Sequence, residues 1–125
     1  MRAMTEIFLA DTYALIEIIK GSPRYRRFLS FHLVITEHNL IELYYHCLHD
    51  HGKETAVMYQ QLYRGNVVPI SDSTIQLAME IKLRFKHEKL SYADCMGYAR
   101  AIELGVKFLT GDQKFSDKEN VEFVK

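Results

Sequence analysis

Little in this sequence would staple the chain covalently, anchor it in a membrane or draw it onto nucleic acid by charge alone. Only two cysteines occur in 125 residues, Cys47 and Cys95. Both fall in segments that read as helix, and no disulfide framework of the kind found in small secreted domains is visible. That usage is expected of a protein kept in a reducing cytoplasm. No stretch approaches the ~18–20 apolar residues of a membrane span. The opening Met-Arg-Ala-Met-Thr-Glu lacks the apolar run of a signal peptide. Net charge is also missing, because 16 Lys+Arg balance 16 Asp+Glu. A strongly basic binder that relies on bulk charge is thereby disfavoured, whereas a local basic patch is not. There is no internal repeat and no low-complexity tract. What remains, 48% hydrophobic and 26% charged, suits one globular domain over residues 1–125, long enough to bury a single core.

The most informative stretch runs from Leu90 to Phe115. Ser91 followed three residues later by Asp94 has the form of a capping box, so a helix is expected to start there. Tyr98, Ala99, Ile102 and Leu104 supply its apolar side, and Gly105 is placed to end it. Val106 to Leu109 reads as a short strand closed by Thr110-Gly111-Asp112. A helix joined to a strand by so short a turn must run antiparallel to it. Asp94 and Asp112 are therefore expected on one edge of the fold, although 18 positions separate them.

Earlier in the chain, Ile7-Phe8-Leu9-Ala10 is a continuous apolar run suited to a central strand buried on both faces. It hands over at Asp11 to a helix from Thr12 to Lys20, stopped by Gly21-Ser22-Pro23. Taken alone, Asp11 reads as an N-cap. Pro23 can open a short helix through Leu29. Leu33-Val34-Ile35 reads as a second strand, with Thr36 capping a helix from Glu37 to His49. The stripe of that helix is Leu40, Leu43, Tyr44 and Cys47, widened by Ile41 and Leu48, with Glu42 on the opposite, solvated side. His38, Glu42 and His46 step by four and could chelate zinc, but histidine-rich faces are more often simply hydrated. Glu54 to Tyr63 reads as a helix with Val57, Met58 and Leu62 inward. Val67-Val68-Pro69-Ile70 reads as a third strand, pushed towards an edge by its proline. A helix capped by Asp72 or Ser73 runs to about Lys86, with Ile75, Leu77, Ala78, Ile81 and Phe85 on its core side. Its far end carries Lys82, Arg84, Lys86 and Lys89, which is either a solvated helix end or a surface that meets phosphates. Val121 to Val124 makes a last strand at an edge.

Strands separated by helices specify an α/β fold, with a mostly parallel central sheet of about four to five strands and helices on both faces. Right-handed crossovers bring the strand ends to one edge. Asp11, Asp94 and Asp112 then share the rim where such folds bind ligands. Each has an ordinary structural role, as cap, capping box or turn. Together they are anions that raise one another's pKa, a repulsion that a hard cation such as Mg²⁺ or Mn²⁺ relieves. Such a rim suits metal-assisted phosphodiester hydrolysis. A phosphatase of the haloacid dehalogenase type would need a second Asp where Tyr13 stands. A phosphoacceptor receiver domain would need an Asp ending the third strand, for which Asp72 is a loose match, and adjacent early acids that are absent.

Four segments in order carry a resemblance that spans essentially the whole chain: Phe8-Leu9-Ala10-Asp11-Thr12, Leu40-Ile41-Glu42-Leu43, Ser91-Tyr92-Ala93-Asp94 and Leu109-Thr110-Gly111-Asp112-Gln113-Lys114-Phe115. The sequence resembles the PIN-domain nucleases, and among them the small VapC-like toxin ribonucleases of toxin–antitoxin pairs. The resemblance implies a PIN-like three-layer sandwich and an acidic quartet of Asp11, Glu42, Asp94 and Asp112. This quartet would hold Mg²⁺ or Mn²⁺, with Thr110 as a hydroxyl helper and Asp117 as a further acid near the metals. The implied activity is that of a cytoplasmic, metal-dependent endoribonuclease acting on RNA. The implied partners are a small antitoxin protein and a second copy of the chain; Tyr44, Tyr45, Tyr59 and Tyr63 in the middle helices either serve that homodimer interface or are simply core. The resemblance overrules the helix-wheel reading of Glu42, whose competitor is Glu37. The alternative is a PIN-like fold kept for dimerisation or RNA binding without cleavage.

Overall fold

The computed structural model describes residues 6–125. The opening segment, read above as lacking a signal-peptide run, falls almost wholly outside them. Four strands, β1 (Ile7–Ala10), β2 (His32–Val34), β3 (Lys107–Thr110) and β4 (Val121–Phe123), form one sheet in the order β2-β1-β3-β4. All three pairings are parallel. Five helices connect them: α1 (Thr12–Lys20), α2 (Glu37–His51), α3 (Lys53–Arg64), α4 (Asp72–Arg84) and α5 (Tyr92–Leu104). Short 3₁₀ turns cover Pro23–Ser30, Lys86–Glu88 and Gln113–Phe115. No helix among the described residues is long and apolar enough to cross a membrane.

Strand side chains alternate between faces, and that alternation builds two cores. Phe8, Ala10 and Leu109 face Ala14 and Leu15 of α1, Leu40, Leu43 and Cys47 of α2, and Ala56 of α3. Leu9 and Phe108 face the other way, onto Ala78 and Ile81 of α4 and onto Cys95, Tyr98 and Ala99 of α5. This is the expected three-layer sandwich. Burying a Leu or Phe fully is worth about 1.5–3 kcal/mol, so the two central strands are anchored from both sides. The rings of Tyr98, Phe108 and Phe115 meet with centroids 5.1–5.8 Å apart. Gly97 lets α5 approach this group, because a Cβ there would stand 3.0 Å from the Phe108 ring.

Local signals set the helix ends as expected. Asp11 accepts from the Ala14 N–H at 2.8 Å and caps α1. At α5, Ser91 Oγ accepts from the Asp94 N–H at 3.0 Å and Asp94 Oδ2 accepts from the Ser91 N–H at 3.3 Å, a complete capping box. Gly105 closes α5 in the left-handed region at φ 69°.

Four expectations are corrected. Val67–Ile70 is not a strand: it contributes one bridge, Val67 to Ile35. Pro69 removes a donor two residues on, and the chain then turns so that Ser71, not Asp72 or Ser73, caps α4. The inward face of α3 is Ala56, Tyr59 and Tyr63 rather than Val57, Met58 and Leu62. The flanking apolar residues of other helices also lie outside: Ile41 is 61% exposed, and Leu48, Ile75, Ile102 and Leu104 are exposed as well. A single residue, Gly52, joins α2 to α3. So tight a hairpin fixes which face of α3 meets its neighbour, and small Ala56 admits the close approach.

Candidate active site

The chain leaves β1 for β2 on one side of the sheet and leaves β3 for β4 on the other. The carboxyl ends of these adjacent strands therefore open a crevice at the point where the order reverses. Asp11 follows β1 there and Asp112 follows β3. The start of α5, running back against β3, brings Asp94. Glu42 comes from the side of α2 that faces away from its apolar stripe. All four carboxylates line one open cleft of about 360 Å³, together with Thr12, Tyr13, Gly111, Gln113 and Lys125.

Asp11 is the buried member, 4% exposed. Its Oδ1 accepts from the Ala14 N–H, and its Oδ2 accepts from the Thr110 hydroxyl. Burial drives its pKa from 3.8 up to about 7; the two hydrogen bonds oppose the rise, and the charges of Asp94 and Asp112 add to it. Burial also raises the pKa of Asp94, with Asp112 adding to the rise, while its Ser91 hydrogen bonds and the charge of Lys114 pull the other way. Asp112 Oδ1 accepts from the Lys114 N–H at 3.0 Å, and its own N–H donates to Thr110 Oγ1 at 3.0 Å. Thr110 is fully buried and its proton is directed at Asp11. Its hydroxyl thus ties the acid after β1 to the acid after β3.

Glu42 is held by a relay. Thr12 donates to Glu42 Oε1 at 2.7 Å and accepts from Asn39 Nδ2 at 3.3 Å. Asn39 Oδ1 in turn accepts the Thr36 N–H and hydroxyl at 3.1 and 2.9 Å. The α2 cap therefore reaches across to the first turn of α1. Sequence reading passed over Thr12 and Asn39. Their signals were the threonine directly after Asp11 and the Asn three residues after the cap Thr36. By sequence, Gly111 is marked only as part of the Thr110-Gly111-Asp112 turn. A Cβ at Gly111 would lie 2.1 Å from the Tyr13 ring and 2.5 Å from the Val124 carbonyl oxygen, so space excludes any side chain there.

Two acids fall elsewhere. Glu37 pairs with Arg64 at 2.6 Å on the surface. Asp117 pairs with Lys118 at 3.4 Å and lines a separate, larger cleft of about 590 Å³ beside Arg84, Phe85 and Tyr98. The zinc arrangement is not formed: Glu42 is turned to Thr12, and His46 Nε2 lies 2.9 Å from Asp50. Among the described residues, no three His, Cys, Asp or Glu side chains stand as a ready-made metal cage. The rim still has the chemistry for a hard cation, with four carboxylates, no nitrogen or sulfur donor and an open side. Mg²⁺ keeps several waters and needs only one or two direct carboxylates.

A family model for the PIN domain matches residues 8–121. The chain belongs to the PIN-domain family. This PIN domain also superposes on solved structures over nearly its whole length. One is a toxin-antitoxin complex from Klebsiella pneumoniae, with TM-score 0.74 and 18% identity over 92% of this chain and 95% of that chain. A second is VapC20 of Mycobacterium tuberculosis, described as a sarcin-ricin loop cleaving toxin, with TM-score 0.74 and 20% identity over 96% of this chain and 100% of that one. A third is VapBC2 from Rickettsia felis bound to a DNA fragment from its promoter, with TM-score 0.71 and 18% identity over 94% and 97%. At such identities the likeness is one of fold. No curated protein sequence matches the chain.

Proposed function

We propose that this PIN domain is a Mg²⁺- or Mn²⁺-dependent endoribonuclease and the toxin of a toxin–antitoxin pair. Its partners would be a small antitoxin protein and a second copy of itself, in the cytoplasm. The observation that supports this reading is the convergence of Asp11, Glu42, Asp94 and Asp112, from four different elements, on one crevice at the sheet's reversal point. The toxin assignment draws on the fold shared with VapC20 and with two toxin–antitoxin assemblies.

These four carboxylates would hold the ion, which when bound supplies Lewis-acid activation of water and neutralises charge on the phosphate. Thr110 keeps Asp11 and Asp112 in register by donating to one side chain and accepting from the other's backbone. Thr12 and Asn39 hold Glu42 against the crevice. Burial raises the Asp11 pKa to about 7, and a cation held beside it would oppose that rise and favour its charged form. The absence of net charge fits a selective, structured RNA better than tight binding of long RNA.

Asp94→Asn tests the reading. Asn keeps the shape and can still cap α5, so a purely structural Asp94 would lose at most about 1 kcal/mol. The nuclease reading expects three things: unchanged or higher metal-free stability, a smaller Mn²⁺-induced rise in melting temperature, and RNA cleavage lower by orders of magnitude. Melts with and without Mn²⁺ and cleavage of a single-stranded RNA measure all three. Equal cleavage by variant and wild type would return Asp94 to the role of a cap. Absent cleavage in the wild type would leave a PIN fold that binds without cutting.

A further inference from the structure

A cationic strip borders the acidic crevice. Lys114, whose backbone N–H holds Asp112, donates from Nζ to the Lys89 carbonyl at 3.2 Å. Lys82 donates from Nζ to the Leu90 carbonyl at 2.5 Å and stands 4.9 Å from the Tyr92 ring centroid. Two lysines therefore pin successive carbonyls of the segment that delivers Ser91 and Asp94 to the crevice. Lys86 and Lys89 are exposed beside them. Tyr92 is 63% exposed and, with Lys82, Lys86 and Leu90, lines a cleft of about 310 Å³. Among the described residues, none of Lys82, Lys86, Lys89 or Lys114 makes a salt bridge. An ammonium has three donors, and Lys82 and Lys114 each direct one at a carbonyl. The zero net charge of the whole chain thus conceals a local separation, with four carboxylates on the rim and four unpaired ammoniums along its flank. Arg84, the other cation of this helix end, lines the separate cleft that holds Asp117.

A hydrated helix end would account for the lysines alone. It does not account for an exposed aromatic ring, one face of it under Lys82, set among them next to acids that would repel an unguided phosphate. Cations with an interleaved aromatic form the usual platform for single-stranded nucleic acid. We propose that this strip receives the RNA strand. Backbone phosphates would lie along Lys86, Lys89, Lys82 and Lys114, and one base would stack on Tyr92, presenting the next phosphate to the crevice. The inference rests on the nuclease reading only for what happens in the crevice; the strip itself is a binding surface.

The test is anisotropy of a labelled single-stranded RNA with the full chain in EDTA, across a range of salt. Among the described residues, the Lys86 and Lys89 side chains make no hydrogen bond, and Asn suits the left-handed backbone at Lys89 (φ 56°). The double variant Lys86→Gln/Lys89→Asn should therefore fold. Each lost phosphate contact lowers the slope of log K against log salt by about 0.7, so the pair should lower it by about 1.4. Tyr92→Leu should weaken binding about tenfold, and Tyr92→Phe should restore it. Under cleavage conditions the lysine variant should raise KM and leave kcat nearly unchanged. Lys107→Gln, at the opposite end of β3, should change none of these. If the lysine and Tyr92 variants bind like wild type while Asp94→Asn abolishes cleavage, the strip is wrong and the nuclease stands. If wild type binds RNA with the lysine-dependent slope but never cuts it, the strip stands and the nuclease reading fails. If the lysine variant loses only binding of an acidic peptide, the face is a protein contact and the proposal is overturned.

Discussion

Asp11 is where the demands of folding and chemistry meet in one side chain. As a cap it was legible from the sequence, since a carboxylate ahead of a helix is a local pattern. Its burial was not legible, because the hydroxyl that meets it belongs to Thr110, 99 positions away. The consequence is a pH dependence. Its folded pKa, about 7, lies above the ordinary 3.8, so the ion-free folded state binds this proton more tightly than the unfolded chain does. Stability from the protonated group is complete below about pH 4 and is lost as pH rises through about 7, at most about 4 kcal/mol for a shift of this size. Ion-free melts should therefore fall between about pH 4 and pH 7 and level off above that. Asp11→Asn should flatten that trend and melt higher at the alkaline end. A wild-type trend that persists unchanged in Asp11→Asn would assign it to another group. Gly111 makes a second claim at this scale. Gly111→Ala would force a methyl against Tyr13 and the Val124 carbonyl, and overpacking of this kind costs about 1–3 kcal/mol. Because Thr110 and Asp112 flank it, cleavage should fall further than the lost stability explains. A denaturant midpoint equal to wild type would show that the Tyr13 ring and the Val124 backbone both give way freely.

Among the elements, α5 was the most legible. Ser91, Asp94 and Gly105 act within one turn of themselves, so capping chemistry could place both of its ends. The faces of α2 and α3 were read less well. An apolar stripe marks a helix, but which residue at its margin is covered depends on the partner, and the Gly52 hairpin turned Met58 and Leu62 outward. Glu42 illustrates the same point from the other side. The wheel was right that it faces away from the core, and a crevice happens to lie there. Its orientation depends on Thr12, so Thr12→Val is the informative change at this scale. The swap keeps the shape and removes one hydroxyl, so stability should drop by about 1 kcal/mol or less. Glu42 and Asn39 would lose their shared partner, and kcat should fall well beyond that loss, with Thr12→Ser restoring it. A Thr12→Val protein with wild-type kcat would show that Glu42 needs no support.

For the whole molecule, the class of fold followed from alternating strands and helices, but the strand order did not. Pairing β1 with β3 rather than with a strand near Val67 is a long-range choice that no local pattern encodes. The proposed homodimer belongs at this scale too. Tyr44, Tyr59 and Tyr63 pack on the core, and of the four tyrosines offered to an interface only Tyr45 is largely exposed. Apolar surface is nevertheless open on α2 and α3, at Ile41, Leu48, Met58 and Leu62. Light scattering at micromolar concentration should give twice the 14.7 kDa chain mass; a single-chain mass would remove the homodimer.

The pairing of the first strand with the third also governs when the acidic crevice can assemble. While a ribosome is still making the chain, β1 can find β2 but not β3, and Asp11 emerges long before Thr110 and Asp112 exist. Contacts so distant in sequence form late. On the proposed function, a growing chain tethered to the translation machinery carries no assembled cutting centre, and the RNA around it is spared until synthesis has passed Asp112.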